Sequence, residues 1–168
     1  RLDTDTSGLV VFARNQETYR KMREAFSKNR VEKEYTTLVS GTITKGQRIT
    51  WPIGPDPKTK KNVRVYKNLK EARQHKAREA VTTLTPLPHL FRAEVRERDT
   101  WLTIQIKTGV RHQIRARLAA IGHPIVGDIL YGGPPADRLY LHASRVQFLH
   151  PRTGEPIEVS STFLGRVS

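Results

Sequence analysis

A carboxylate, a guanidinium and several hydroxyls stand together at the start of the chain, in Arg1-Leu2-Asp3-Thr4-Asp5-Thr6-Ser7-Gly8-Leu9. A carboxylate beside an arginine stays ionised at neutral pH, because the opposite charge favours the anion. Asp3 or Asp5 therefore suits nucleophilic work. The same Asp, Thr and Ser side chains also suit an ordinary turn, bonding their own backbone. Residue type alone leaves both readings open.

A second polar cluster lies far along the chain, in Thr108-Gly109-Val110-Arg111-His112-Gln113-Ile114-Arg115-Ala116-Arg117-Leu118. A helix entered through Gly109 presents backbone N–H groups that suit an anion. Arg111 and Arg115 are four residues apart and share a helix face. Arg115, one turn in, is placed to reach a buried Asp and hold it ionised through a bidentate pair. His112 and His123 stand eleven apart with no nearby His or Cys to complete a set, so no metal site is expected.

Strands and helices must bring these two clusters together. Leu9 to Ala13 reads as a buried strand behind the first loop. Asn15 is the expected N-cap of a helix over Gln16–Asn29, with Tyr19, Met22 and Phe26 on its core face. Glu34 to Gly41 alternates as a strand, with Tyr35, Thr37 and Val39 on one side. Arg48–Ile53, Ala77–Leu84, Leu90–Arg96, Trp101–Ile106, Leu139–Phe148 and Pro156–Val159 read as further strands. Pro52 to Arg64, with Lys58, Lys60, Lys61 and Arg64, reads as a basic, mobile loop. His112 to Ile121 reads as a short helix closed by Gly122, with Ile114, Leu118 and Ile121 as its apolar stripe. His123 to Asp128 reads as a rigid turn, and Ser160 or Ser161 as the opening of a terminal helical turn. Many strands and two unequal helices make the expected class α+β, one domain with a mostly antiparallel mixed sheet.

The 168 residues carry 30 Lys plus Arg against 16 Asp plus Glu, a net charge of +14. A balance that basic points to a polyanion partner, most often nucleic acid. There is no cysteine. That excludes disulfides, thiolate nucleophiles and cysteine-held zinc or iron–sulfur sites. No apolar run reaches membrane-spanning length. The first residue is not Met and falls inside a motif, so the chain is expected to lack an N-terminal portion.

Taken in order, the motifs resemble those of the RluA-type pseudouridine synthases, which isomerise uridine in ribosomal and transfer RNA. The first loop looks like the family's Arg-Leu-Asp motif. Lys33-Glu34-Tyr35 with Val39-x-Gly41 resembles the motif that brings a tyrosine. Thr108-Gly109-x-x-His112-Gln113-Ile114-Arg115 resembles the arginine motif, followed by Gly122-His123-Pro124-Ile125 and Gly127-Asp128-x-x-Tyr131-Gly132. Arg138-Leu139-x-Leu141-His142-Ala143 and His150-Pro151-x-Thr153-Gly154-Glu155 resemble the closing strand and hairpin. The chain departs from the pattern in Gly109-Val110-Arg111-His112, where the arginine falls one place late. It also departs at Arg117, where the family often has histidine.

The resemblance implies a catalytic domain over residues 1–168, an RNA substrate and a cytoplasmic enzyme with no cofactor, metal or obligatory protein partner. It implies that Asp3 acts at the sugar, that Arg115 pairs with Asp3, and that Tyr35 packs on the flipped base. Arg1, Arg111, His112, Gln113 and Leu141 would contact the substrate. The alternatives are a non-catalytic RNA-binding module of the same fold and a metal-dependent phosphodiesterase using Asp3 and Asp5. If phosphates supply much of the affinity, RNA binding measured from about 50 to 200 mM salt falls by roughly 10³-fold or more for six or more contacts. A flat salt response contradicts the basic surface as the RNA-binding face.

Overall fold

The computed structural model describes residues 1–87 and 98–163, apart from the side chains at positions 60 and 61. At its centre is β2 (Glu32–Val39), paired antiparallel with β7 (Thr100–Ile106) on one side and β8 (Leu141–Leu149) on the other. The sheet runs β1-β8-β2-β7-β6-β3, where β1 is Ser7–Gly8, β3 Gln47–Ile49 and β6 Thr82–Pro86. Among the described strands only β1 with β8 is parallel, and β9 (Pro156–Ser160) lies beside the far half of β8. The fold is α+β with a mixed, mainly antiparallel sheet, as expected from sequence.

The core follows the strand alternation. Leu84, Leu102 and Ile104 pack with Ile114 and Leu118 of α3 (Gln113–Ala120). Leu38 is buried as well, in one cluster with Trp101, Tyr140 and Phe163. Trp101 meets Phe163 and Tyr140 edge-on, at 5.2 and 6.2 Å, the geometry aromatic quadrupoles favour.

Several expectations need correction. Leu9 to Ala13 is not a buried strand: Val10 and Val11 are exposed and Phe12 is 85% exposed. The reason lies in β8, whose edge is shared. Leu9 donates to the Ala143 carbonyl, and from Ser144 onward Ser161 and β9 occupy that edge, leaving β1 nothing to pair with. Helix α1 runs Gln16–Ser27 with Asn15 capping Thr18 as expected, but it buries only Met22, while Tyr19 and Phe26 are exposed.

The stretch from Pro52 to Arg64 is not a loop. It forms a hairpin of β4 (Ile53–Asp56) and β5 (Thr59–Val65). Its apolar side chains Ile53, Val63 and Val65 are sparse among charges, which hid the alternation. The Tyr66 hydroxyl donates to Pro55 O at 2.5 Å, and Ile53 exchanges backbone hydrogen bonds with Arg78. The expected Arg48–Ile53 strand is split between β3 and β4. Thr82–Pro86 replaces Ala77–Leu84, and a short α2 (Leu69–Gln74), capped by Asn68, was not anticipated. The expected strand Leu90–Arg96 lies outside the described residues. Ser160 ends β9 rather than opening a helix, and residues 164–168 also lie outside them.

Arg117 is fully buried, and no carboxylate of the described residues pairs with it. Its guanidinium donates to the carbonyls of Ile49, Trp51 and Ala80 and to Thr82 Oγ1, at 2.6–2.9 Å. Burial pushes its pKa down to about 10. One side chain thus ties α3 to β3 and to the strand entering β6. Arg117→Leu takes the donor from three carbonyls, those of Ile49 and Ala80 buried, at roughly 1–3 kcal/mol for each buried one, so a loss of about 2 kcal/mol or more in urea unfolding is expected. An unchanged midpoint contradicts this role.

Candidate active site

A cleft of about 1160 Å³ opens between the first loop, the C-terminal half of α1 and the start of α3. All eight residues singled out from sequence line it: Arg1, Asp3, Tyr35, Arg111, His112, Gln113, Arg115 and Leu141. Asp5 lines it too but is exposed, whereas Asp3 is half-buried. A smaller concavity of about 590 Å³ on the polar face of the sheet holds none of these eight.

The first loop is both a turn and a candidate reactive segment. Thr6 N–H closes a turn onto the Asp3 carbonyl at 3.1 Å. Ser7 Oγ receives Arg138 Nη2 at 2.5 Å and pairs with His142 Nδ1 at 2.9 Å, pinning the loop to β8. Gly8 has φ +111°, and a Cβ there would overlap the Ala143 carbonyl, so only glycine lets β1 close on β8.

Tyr35 enters from β2, where the register to β8 shifts between Glu34 and Tyr35. Burial pushes its phenol up to about 12, and the charge of Asp3 adds to the shift. Two links anchor the loop before α3. Lys33 Nζ donates to the Lys107 and Thr108 carbonyls, and burial pushes this amine down to about 8. Gln113 receives Thr108 Oγ1 and Val110 N–H at its carbonyl oxygen, while its amide donates to Val81 O and Thr82 Oγ1. His112 then sits at the head of α3 with φ +50°, a left-handed conformation unusual for a non-glycine residue.

The partner expected for Arg115 is corrected. Its Nε and Nη2 donate side-on to both oxygens of Asp128, at 2.8 and 2.7 Å, and no hydrogen bond joins it to Asp3. The Asp128 carboxylate is fully buried, and Arg115 nearly so. Burial works against the Arg115 cation, but the hydrogen bonds and charge of Asp128 outweigh it and raise its basicity. Asp3 remains close enough for its charge to act on Arg115, Tyr35 and His112. The guanidinium is thus fixed on one edge by Asp128 and electrostatically linked to Asp3 on another side.

Asp128 and Tyr131, which contact the Arg115 guanidinium, are residues that spacing alone missed. Both belong to Gly127-Asp128-x-x-Tyr131-Gly132, which reads locally as a turn. Gly127 has φ +82°, and a Cβ there would overlap the Arg138 carbonyl. That close approach turns Asp128 inward. The available signal was a lone acid in a stretch otherwise apolar and turn-forming, opposite an arginine-rich helix with no acid of its own. Among the described residues, no group of three or more His, Cys, Asp or Glu could hold a metal ion.

Comparison with known proteins follows the same lines. Residues 1–120 match the family model described as RNA pseudouridylate synthase. The chain is 39% identical over 152 residues to an uncharacterized RNA pseudouridine synthase of Helicobacter pylori, covering 89% of this chain and 57% of that protein. It is 33% identical over 175 residues to a protein of Haemophilus ducreyi named ribosomal large subunit pseudouridine synthase D, covering 94% of this chain and 49% of that protein. The solved structure of human RNA pseudouridylate synthase domain containing 1 superposes with a TM-score of 0.81 at 26% identity, over 97% of this chain and 67% of that one. The chain spans about half the length of the curated relatives it matches.

Burial of Tyr35 has a spectroscopic consequence. In an alkaline absorbance titration compared with Tyr35→Phe, the phenol missing from the variant titrates near pH 12. Tyr35 therefore stays protonated throughout the neutral range. A midpoint at or below the ordinary value of 10 contradicts its burial beside Asp3.

Proposed function

The chain belongs to the RNA pseudouridylate synthase family, and on that premise we propose that it converts uridine to pseudouridine in a structured RNA. The observation that carries the proposal is the meeting of Asp3, Tyr35 and Arg115, from three distant parts of the chain, in one cleft. In this reaction the bond from ribose C1′ to uracil N1 breaks, the ring turns, and a bond forms from C1′ to C5. C5 loses a proton and N1 gains one, so the formula is unchanged and no redox partner is consumed.

The residues divide that work. The base leaves its stack to enter the cleft, as chemistry on a base requires. Asp3 acts at the sugar, either attacking C1′ as glycosidase carboxylates do or withdrawing a proton. Arg115, held by Asp128, keeps a fixed positive charge beside Asp3 and favours its anion. Tyr35 packs on the base and, as a neutral phenol, is suited to relay the C5 proton. Leu141, only 3% exposed, supplies an apolar wall. Arg1 and Arg111, at the mouth, meet phosphate or fill the place the base vacates.

Ribosomal RNA is the first candidate substrate, supported by the name of the Haemophilus relative, and transfer RNA the second. The test incubates uridine-containing ribosomal and transfer RNA with the chain and maps pseudouridine. Asp3→Asn lowers the single-turnover rate by about 10⁴-fold or more while RNA binding survives, and Asp5→Asn stays within roughly tenfold. Pseudouridine formation lost in Asp5→Asn but kept in Asp3→Asn overturns the assignment. Binding without any turnover favours the non-catalytic RNA-binding module.

A further inference from the structure

The hairpin β4–β5 and the candidate active site meet at a single hydroxyl. Tyr131 closes a 3₁₀ turn, Ile129–Tyr131, whose N-terminus is capped by Asp128. Its ring lies against the Arg115 guanidinium, 5.3 Å from the ring centre, and edge-on to the His112 imidazole at 5.6 Å and 88°. Its oxygen lies 3.0 Å from Val63 N and 2.9 Å from His112 Nδ1. Val63 belongs to β5, opposite Pro55, and its N–H goes to this side chain rather than to another strand.

One direction of these bonds leaves no hydrogen without an acceptor. A phenol has one hydrogen to give and lone pairs to receive. The Val63 N–H can only donate, so the hydroxyl accepts there, and His112 Nδ1 is the one acceptor among the described residues within reach of its own hydrogen. A neutral imidazole that accepts at Nδ1 carries its proton on Nε2. We infer that the Tyr131 hydroxyl is a positioning group that docks the hairpin against the cleft and holds His112 as the Nε2–H tautomer.

Charge around the ring fits that state. Burial disfavours the imidazolium of His112, Arg115 and Arg111 oppose it, and Asp3 and Asp128 favour it, with a net downward shift. The hairpin has its own support at the base, through Tyr66 and Arg78, and Arg64 pairs with Glu71 of α2 at 3.0 Å. Its flank toward α3 is held through Tyr131. Because Lys58 and Arg64 ride on this hairpin, its position sets where two cations stand relative to the cleft. The docking is a property of the fold alone; its effect on RNA rests on the function proposed above.

Tyr131→Phe tests it, keeping the ring against Arg115 and His112 and deleting one oxygen. The backbone amide of Val63 is expected to exchange about threefold to tenfold faster, the equivalent of one net hydrogen bond. The amides of Leu38 and Leu102 in the central ladder stay unchanged. The ¹⁵N shifts of His112 move from one tautomer to a mixture. With RNA, KM rises by a similar factor and kcat changes less.

Val63 exchange and His112 shifts identical to those of the unmodified protein overturn the inference. So does a fall in kcat at constant KM with Val63 unchanged, which makes Tyr131 a catalytic group. Faster exchange at Leu38 and Leu102 as well reads as general destabilisation and also counts against it. In the unmodified protein, a proton on His112 Nδ1 near neutral pH overturns it without any variant. If no RNA acquires pseudouridine, the proposed activity fails, while the Val63 and His112 readings still decide the docking.

Discussion

A buried ion pair organises this molecule. Asp128 offers both carboxylate oxygens to Arg115 at 2.7 and 2.8 Å, with its carboxylate sealed from solvent. A desolvated charge is costly unless its partner has good geometry and its remaining hydrogen-bonding capacity is met. Both conditions hold. The pair is bidentate, and one Asp128 oxygen also receives Tyr131 N–H. A buried pair of this kind adds little net stability, because desolvation offsets much of the attraction. What it supplies is placement: a guanidinium that cannot choose another rotamer, set beside a half-buried acid.

Around that fixed cation, backbone and side-chain links leave the neighbouring groups little freedom. Lys33 and Gln113 hold the segment before α3, Arg117 holds α3 to the strands beneath it, and Ser7 holds the first loop to β8. Arg117 spends buried charge on carbonyls instead of a carboxylate, an arrangement that planar guanidinium geometry allows and a lysine could not reproduce. Asp3, the acid that the proposed function makes reactive, is the least tethered member. Among the described residues, the one hydrogen bond of Asp3 is at its backbone carbonyl, while its neighbours are already committed. Preorganised surroundings with one uncommitted reactive group are what electrostatic catalysis requires.

Legibility from sequence followed the range of the interactions. The central strand, the β7 strand and α3 with its αL cap at Gly122 were readable, because local periodicity and capping chemistry specify them. All eight candidate residues fell in one cleft because ordered motifs carry them, each motif tied to its own element. The failures share a cause. Leu9–Ala13 looked buried, but a competitor for the β8 edge, 150 residues away in sequence, excludes it. Hairpin β4–β5 looked mobile because its lysines hide three apolar anchors and a tyrosine that seals it. Arg115 was matched to the wrong acid because Asp128 looks like turn chemistry until Gly127 is seen to press it inward. Each depends on a long-range approach of backbone that composition does not encode.

On the function proposed above, Arg115 serves the reaction only because Asp128 holds it. A double-mutant cycle on the rate of pseudouridine formation tests this directly, using Arg115→Met, Asp128→Asn and the two together. If Asp128 acts through Arg115, the second substitution costs nothing further once the first is made, and the coupling nearly equals the smaller single effect. Independent effects that add in the double variant would contradict the account.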